Sequence, residues 1–72
     1  MSQLRKRSIS LAGHATSLAL ELEFWSALEA MAASRTISLA ALILEIDAGR
    51  GDSPLASACR VAALNWARQG SR

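Results

Sequence analysis

Gly13-His14-Ala15-Thr16-Ser17-Leu18-Ala19-Leu20-Glu21 is the stretch whose reading decides the fold. Thr16, Leu18 and Leu20 alternate with Ala15, Ser17 and Ala19, which is the period of a strand with one apolar face. Everything after it reads as helix. A single strand over residues 14–20, followed only by helices, has no pairing partner in its own chain. Its N–H and C=O groups must nevertheless be satisfied. The simplest partner is the same strand of a second copy, antiparallel about a twofold axis. The expectation is therefore a mainly α chain with one β-strand, dimerising through a two-stranded ribbon exposed on one side. Such a ribbon fits the major groove of DNA.

Working outward, the totals agree. At 72 residues the chain is one domain at most. Domains of this size bury a modest fraction of their surface and often need disulfides, metal or oligomerisation. Cys59 is the only cysteine and His14 the only histidine, so an internal disulfide and the usual Cys/His zinc frameworks are excluded. Oligomerisation remains, and a hydrophobic content of 51% is high for a small monomer to hide. A lone cysteine also suits a reducing cytoplasm, the expected localisation. The longest unbroken apolar run, residues 39–44, is far short of a bilayer span, so no membrane partner is expected.

Net charge is only +2, but it is unevenly placed. Arg5, Lys6 and Arg7 sit together and no acid precedes Glu21, whereas Glu23, Glu29, Glu45, Asp47 and Asp52 follow in the helical part. A basic arm over residues 1–7 ahead of a single domain over residues 8–72 points to a polyanion, nucleic acid before membrane. A solvated basic tail is the plainer alternative. Residues 7–12 alternate as well, with Ile9 and Leu11 against Ser8, Ser10 and Ala12. They either extend the ribbon or form a short separate strand, and Gly13 marks a bend, a bulge or a close backbone approach.

A first helix is expected over residues 22–34, with apolar residues Leu22, Trp25, Leu28 and Ala32 at helical spacing beside Phe24 and Met31. Thr36 falls in a short connection. Ser38 reads as the N-cap of a second helix over residues 39–49, with Ile37 placed as a staple against Leu42. Leu39, Leu42, Ile43 and Ile46 make its buried stripe, and Gly49 and Gly51 stop it. Ser53-Pro54 opens a third helix over residues 54–69, whose apolar surface begins at Leu55 and ends near Gln69.

That order resembles the ribbon-helix-helix DNA-binding family (Arc/MetJ class). The run Lys6-Arg7-Ser8-Ile9-Ser10-Leu11-Ala12-Gly13-His14, then Thr16-Ser17-Leu18, Leu20-Glu21 and Phe24-Trp25, is similar to a small bacterial branch of it. Ser38-Leu39, Glu45-Ile46-Asp47 and Leu55-Ala56-Ser57-Ala58 continue the likeness. The resemblance implies an intertwined homodimer with its ribbon in the major groove. It implies outward ribbon residues Ala15, Ser17 and Ala19, and a phosphate clamp of amides around Thr36, Ile37, Ser38 and Leu39 with the Ser38 hydroxyl. Helix N-termini collect phosphates on independent physical grounds. The dimer core would be Thr16, Leu18, Leu20, Trp25, Leu28, Leu42, Ile43 and Ile46. The family commonly places long polar side chains on the outward positions, an arginine at 15 above all. Alanines offer only contact with thymine methyls, and Ser17 discriminates bases poorly. Base reading either moves to Arg5, Lys6, Arg7, Ser8 and Ser10, or is lost.

The remaining conspicuous residues have plain readings. His14 is a structural or interface histidine, Phe24 and Trp25 are packing residues, and Cys59 is an inert small hydrophobe. Arg50-Gly51-Asp52 is a helix stop and turn. The pairs Glu21/Glu23 and Glu45/Asp47 diverge on a helix, and no phosphate-binding glycine loop is present. No enzyme activity, cofactor or metal is expected. The leading function is a homodimeric, sequence-specific DNA-binding transcriptional regulator, repression being the expected mode, with association into higher order on DNA left open. One alternative is an antitoxin-like or adaptor module whose third helix, bounded by Leu55 and Gln69, binds a protein partner. Another is a structural dimer that has lost DNA reading.

Overall fold

The structure, a computed structural model, describes residues 3–70. Two strands, β1 (Leu4–Leu11) and β2 (His14–Glu21), precede three helices, α1 (Leu22–Ser34), α2 (Leu39–Gly49) and α3 (Leu55–Gly70). β1 corrects the expectation of a single strand. It pairs antiparallel with β2 in a register that runs from Leu4 opposite Glu21 to Leu11 opposite His14. The strand expected to lack an internal partner therefore has one, half of it supplied by the stretch read as a basic arm. Leu4 to Arg7 are ladder residues, while Met1 and Ser2 lie outside the described residues.

Ala12 and Gly13 alone connect the strands, and both have positive φ, 51° and 86°. Two consecutive left-handed residues match the right-handed twist of a hairpin, so the connection closes without splaying the strands. Gly13 adopts this conformation freely, whereas alanine does so against its own Cβ.

The register divides the hairpin into two faces. Arg7, Ile9 and Leu11 share one with Thr16, Leu18 and Leu20, and this face is turned onto the helices. Its apolar members join Trp25, Leu28, Met31 and Ala32 of α1, Leu42 and Ile43 of α2, and Cys59 and Ala63 of α3 in one core. Leu20, Leu28, Ile43 and Cys59 have no exposed surface. Each large aliphatic side chain so buried contributes roughly 1.5–3 kcal/mol. The small residues Cys59 and Ala63 let α3 lie close against the rest. β2 leads directly into α1, and the link is reinforced from α3. There Arg60 donates two hydrogen bonds to the Glu21 carboxylate, at 2.9 and 3.3 Å, and its guanidinium lies 5.8 Å from the centre of the Phe24 ring.

α1 ends on a residue that sequence patterning would not choose. Thr36 has φ 58°, and its N–H and that of Ile37 donate to the carbonyls of Ala33 and Ala32 at 3.1 and 3.0 Å. This is the left-handed helix stop usually built on glycine, here carried by a β-branched residue. No single helix among the described residues is long and apolar enough to cross a membrane.

Candidate nucleic-acid interface

The outer face of the hairpin is open. Across it Lys6 stands opposite Ala19, Ser8 opposite Ser17 and Ser10 opposite Ala15. All are exposed except Ala19, which is half-buried. The three β2 residues expected to face outward, Ala15, Ser17 and Ala19, therefore share this face with Lys6, Ser8 and Ser10 of β1. The result is a low relief of hydroxyls and methyls with one long cationic side chain, bounded at the far end from the turn by the exposed Leu4. Short side chains let a ribbon backbone approach base edges closely, serine hydroxyls donate or accept, and lysine can reach the acceptor pair of guanine.

The register separates the three basic residues that the sequence set side by side. Lys6 is on the open face, whereas Arg5 and Arg7 have the opposite parity and stand on the face turned to the helices. Arg7 is committed inside the chain. Its guanidinium lies 4.6 Å from the centre of the Trp25 ring and forms a 3.1 Å ion pair with Glu29. The backbone carbonyl of Arg5 accepts the Trp25 indole N–H at 2.8 Å. His14, expected on the inward parity as a structural group, has that parity but is exposed at the turn end of the hairpin.

The second part of the expected site is the start of α2. Ser38 caps the helix, its hydroxyl accepting from the Ala41 N–H at 3.0 Å. Thr36 and Ile37 were expected to turn their amides to phosphate. Those amides are instead consumed by the α1 stop, which leaves only their side chains available to a ligand. Intrahelical bonding does not reach the amides of Ser38 to Ala41, and the Ser38 hydroxyl takes up that of Ala41, so those of Ser38, Leu39 and Ala40 remain at the start of α2. Of the four amides expected to face phosphate, those of Ser38 and Leu39 keep the required position and those of Thr36 and Ile37 do not. Beside it Arg35 and Glu45 form a two-point ion pair at 2.9 and 2.8 Å. This pair holds the Glu45 carboxyl below its ordinary range, chiefly through hydrogen bonding.

The residues expected in a dimer core lie mostly in the core of the chain itself. Leu18, Leu20, Trp25, Leu28, Leu42 and Ile43 are buried there, and Thr16 and Ile46 are half-buried. Sequence reasoning missed β1 as the partner strand and the anchoring of Arg7. The signal for the first was present in the alternation of residues 7–12, with Gly13 as the bend after it.

A two-stranded ribbon laid over helices, with one polar open face and a capped helix start, defines a class of DNA-docking module. The ribbon-helix-helix domain family matches residues 4–67, from the first residue of β1 well into α3, and the chain belongs to this family. Its members generally bind DNA as dimers, in transcription regulation or as antitoxins. No curated protein and no solved structure matches the chain.

Proposed function

We propose that this chain is a sequence-reading DNA-binding transcriptional regulator that acts as a homodimer and represses by occupying its operator. The observation that carries the reading is the open hairpin face, on which Lys6, Ser8, Ser10, Ala15, Ser17 and Ala19 stand together. In the groove, Lys6 reaches guanine O6 and N7, the serines bond to base edges, and the alanine methyls touch thymine methyls. The Leu39 and Ala40 amides hold a backbone phosphate, where the positive end of the helix dipole meets negative charge. Phosphate contacts set the register, and base contacts set the sequence. Two copies read a twofold-symmetric operator.

The test is a fluorescence-anisotropy titration against the protein's own promoter region and a scrambled duplex, at low and high salt. Tighter binding to the promoter that weakens steeply with salt is the expected result. Equal, weak binding to both duplexes overturns sequence reading. A protein-contacting role for α3, in the manner of an antitoxin or adaptor, is a second reading, favoured by the exposure of Val61 and Leu64 on that helix.

A further inference from the structure

We infer that the open hairpin face selects its operator chiefly by thymine methyl groups, arranged around a single guanine read by Lys6. Each half-site is then an A·T-rich run with one G·C pair toward the Leu4 end. The inference rests on the sequence-reading function proposed above and deepens it by naming the bases that are read and their order.

Two of the four bases have no selective partner on this face. Adenine is singled out by Asn or Gln, and cytosine by a carboxylate that accepts from its amino group. Neither strand carries an Asn, Gln or Arg with the open-face parity. The one acid of that parity is Glu21, opposite Leu4, and both of its carboxylate oxygens accept from Arg60 of α3, at 2.9 and 3.3 Å. Glu21 is thus already engaged where the cytosine amino group would need it. Ser8, Ser10 and Ser17 both donate and accept, so they bond to any base edge and choose none.

The selective groups that remain are one cation and several apolar side chains. Lys6 is exposed and pairs with no acid among the described residues, whereas Arg7, Arg35, Arg50 and Arg60 are each committed to one. A free ammonium is drawn to the O6 and N7 acceptors of guanine and repelled by the amino groups of adenine and cytosine. Leu4 is 59% exposed and stands on the same face, two residues before Lys6. The Ala19 methyl lies across the ladder from Lys6, and that of Ala15 lies nearer the turn. The one apolar group that base edges offer in the major groove is the thymine methyl, so it is what covers these side chains there. Same-face residues lie about 6.8 Å apart, so the span from Leu4 to Ser10 is about 20 Å. At about 3.4 Å per nucleotide that is at most about six base pairs. Along it the order is a methyl at Leu4, guanine at Lys6, and further methyls at Ala19 and Ala15.

The test changes the DNA and leaves the protein as it is. The full chain selects, at low salt, from duplexes with a randomised centre, and A·T-rich sequences holding one invariant G·C pair per half-site are expected. Deoxyuridine then replaces thymine in a selected duplex, which removes the methyl and keeps the base pair. Each contacted methyl lost is expected to weaken binding about fourfold in anisotropy titrations. 7-Deazaguanine at the invariant position removes N7 and is expected to weaken binding about fivefold or more. Lys6→Ala is expected to abolish the response to 7-deazaguanine and keep the response to deoxyuridine. Leu4→Ser, at an exposed position, is expected to do the reverse, narrowing the deoxyuridine response alone. Selected duplexes that bind equally well with thymine and with deoxyuridine overturn this inference and leave sequence reading intact. A library from which no sequence is enriched overturns both.

Discussion

The indole N–H of Trp25 donates to the backbone carbonyl of Arg5 at 2.8 Å, fastening the first turn of α1 to the first strand. The same ring carries the Arg7 guanidinium on its face. One buried side chain thereby holds in place the strand that completes the ribbon. Trp25→Phe keeps most of the packing and removes the donor, leaving the carbonyl without that partner. A loss of about 1–2 kcal/mol in urea unfolding is expected. Trp25→Ala, which also empties the core there, is expected to lose about 3–5 kcal/mol.

Lys6 and Arg7 are neighbours in sequence with opposite duties. Lys6→Ala is expected to weaken duplex binding and to lower the salt slope by about one unit, with little effect on stability. Arg7→Ala removes the Glu29 pair and the Trp25 ring contact, so it is expected to reduce stability by about 0.5–2 kcal/mol. Parallel anisotropy and denaturation curves check both. Equal loss of DNA affinity in the two variants would contradict the division of faces.

The Glu21 carboxyl is held below its ordinary range, first by the hydrogen bond from Arg60 and then by one from its own backbone, against a smaller opposing effect of burial. Glu45 is held low by Arg35. A depressed folded pKa gives stability that is present above the unfolded value, about 4.3, and is lost as pH falls through the folded one. Tm is therefore expected to fall as pH is lowered through and below that range. Arg60→Gln and Arg35→Gln are each expected to flatten the decline.

Burial pushes the Cys59 thiol up from 9.0 to about 11. The native chain keeps its proton where the unfolded chain has lost it, so stability is expected to fall as pH rises between about 9 and 11. A thiol reagent at neutral pH is expected to label Cys59 only at the rate at which the domain opens. Prompt, complete labelling of the folded protein would contradict the packing of α3.

Two positive-φ residues without a glycine's freedom mark places where stability can be gained. Ala12→Asn at the hairpin turn and Thr36→Gly at the α1 stop are each expected to add about 0.5–1 kcal/mol. Gly13→Ala, at φ 86° with open space around it, is expected to lose about 1 kcal/mol through backbone conformation alone. Thermal melts check all three.

The helices were legible because their signals are local. Ser38 caps α2, glycine follows its last turn, and Ser53-Pro54 precedes α3. The parity of β2 was legible from Leu18 and Leu20. What escaped was pairing, which periodicity does not encode. Ser8, Ile9, Ser10 and Leu11 alternate as well as β2 does and read as a possible strand, but the three charged residues before them hid its first half. Ala12-Gly13 lacks the usual Asn-Gly signature of a two-residue turn. The position of Arg7 depended on a register that only the hairpin defines. The engagement of the Thr36 and Ile37 amides depended on a left-handed threonine that no pattern announces.

The hairpin has a consequence for how the chain folds. β1 and β2 are joined by two residues, so their ladder closes at small entropic cost and can form early. Cys59 and Ala63 reach the core from far along the chain, so the packing of α3 is the contact that waits longest for loop closure.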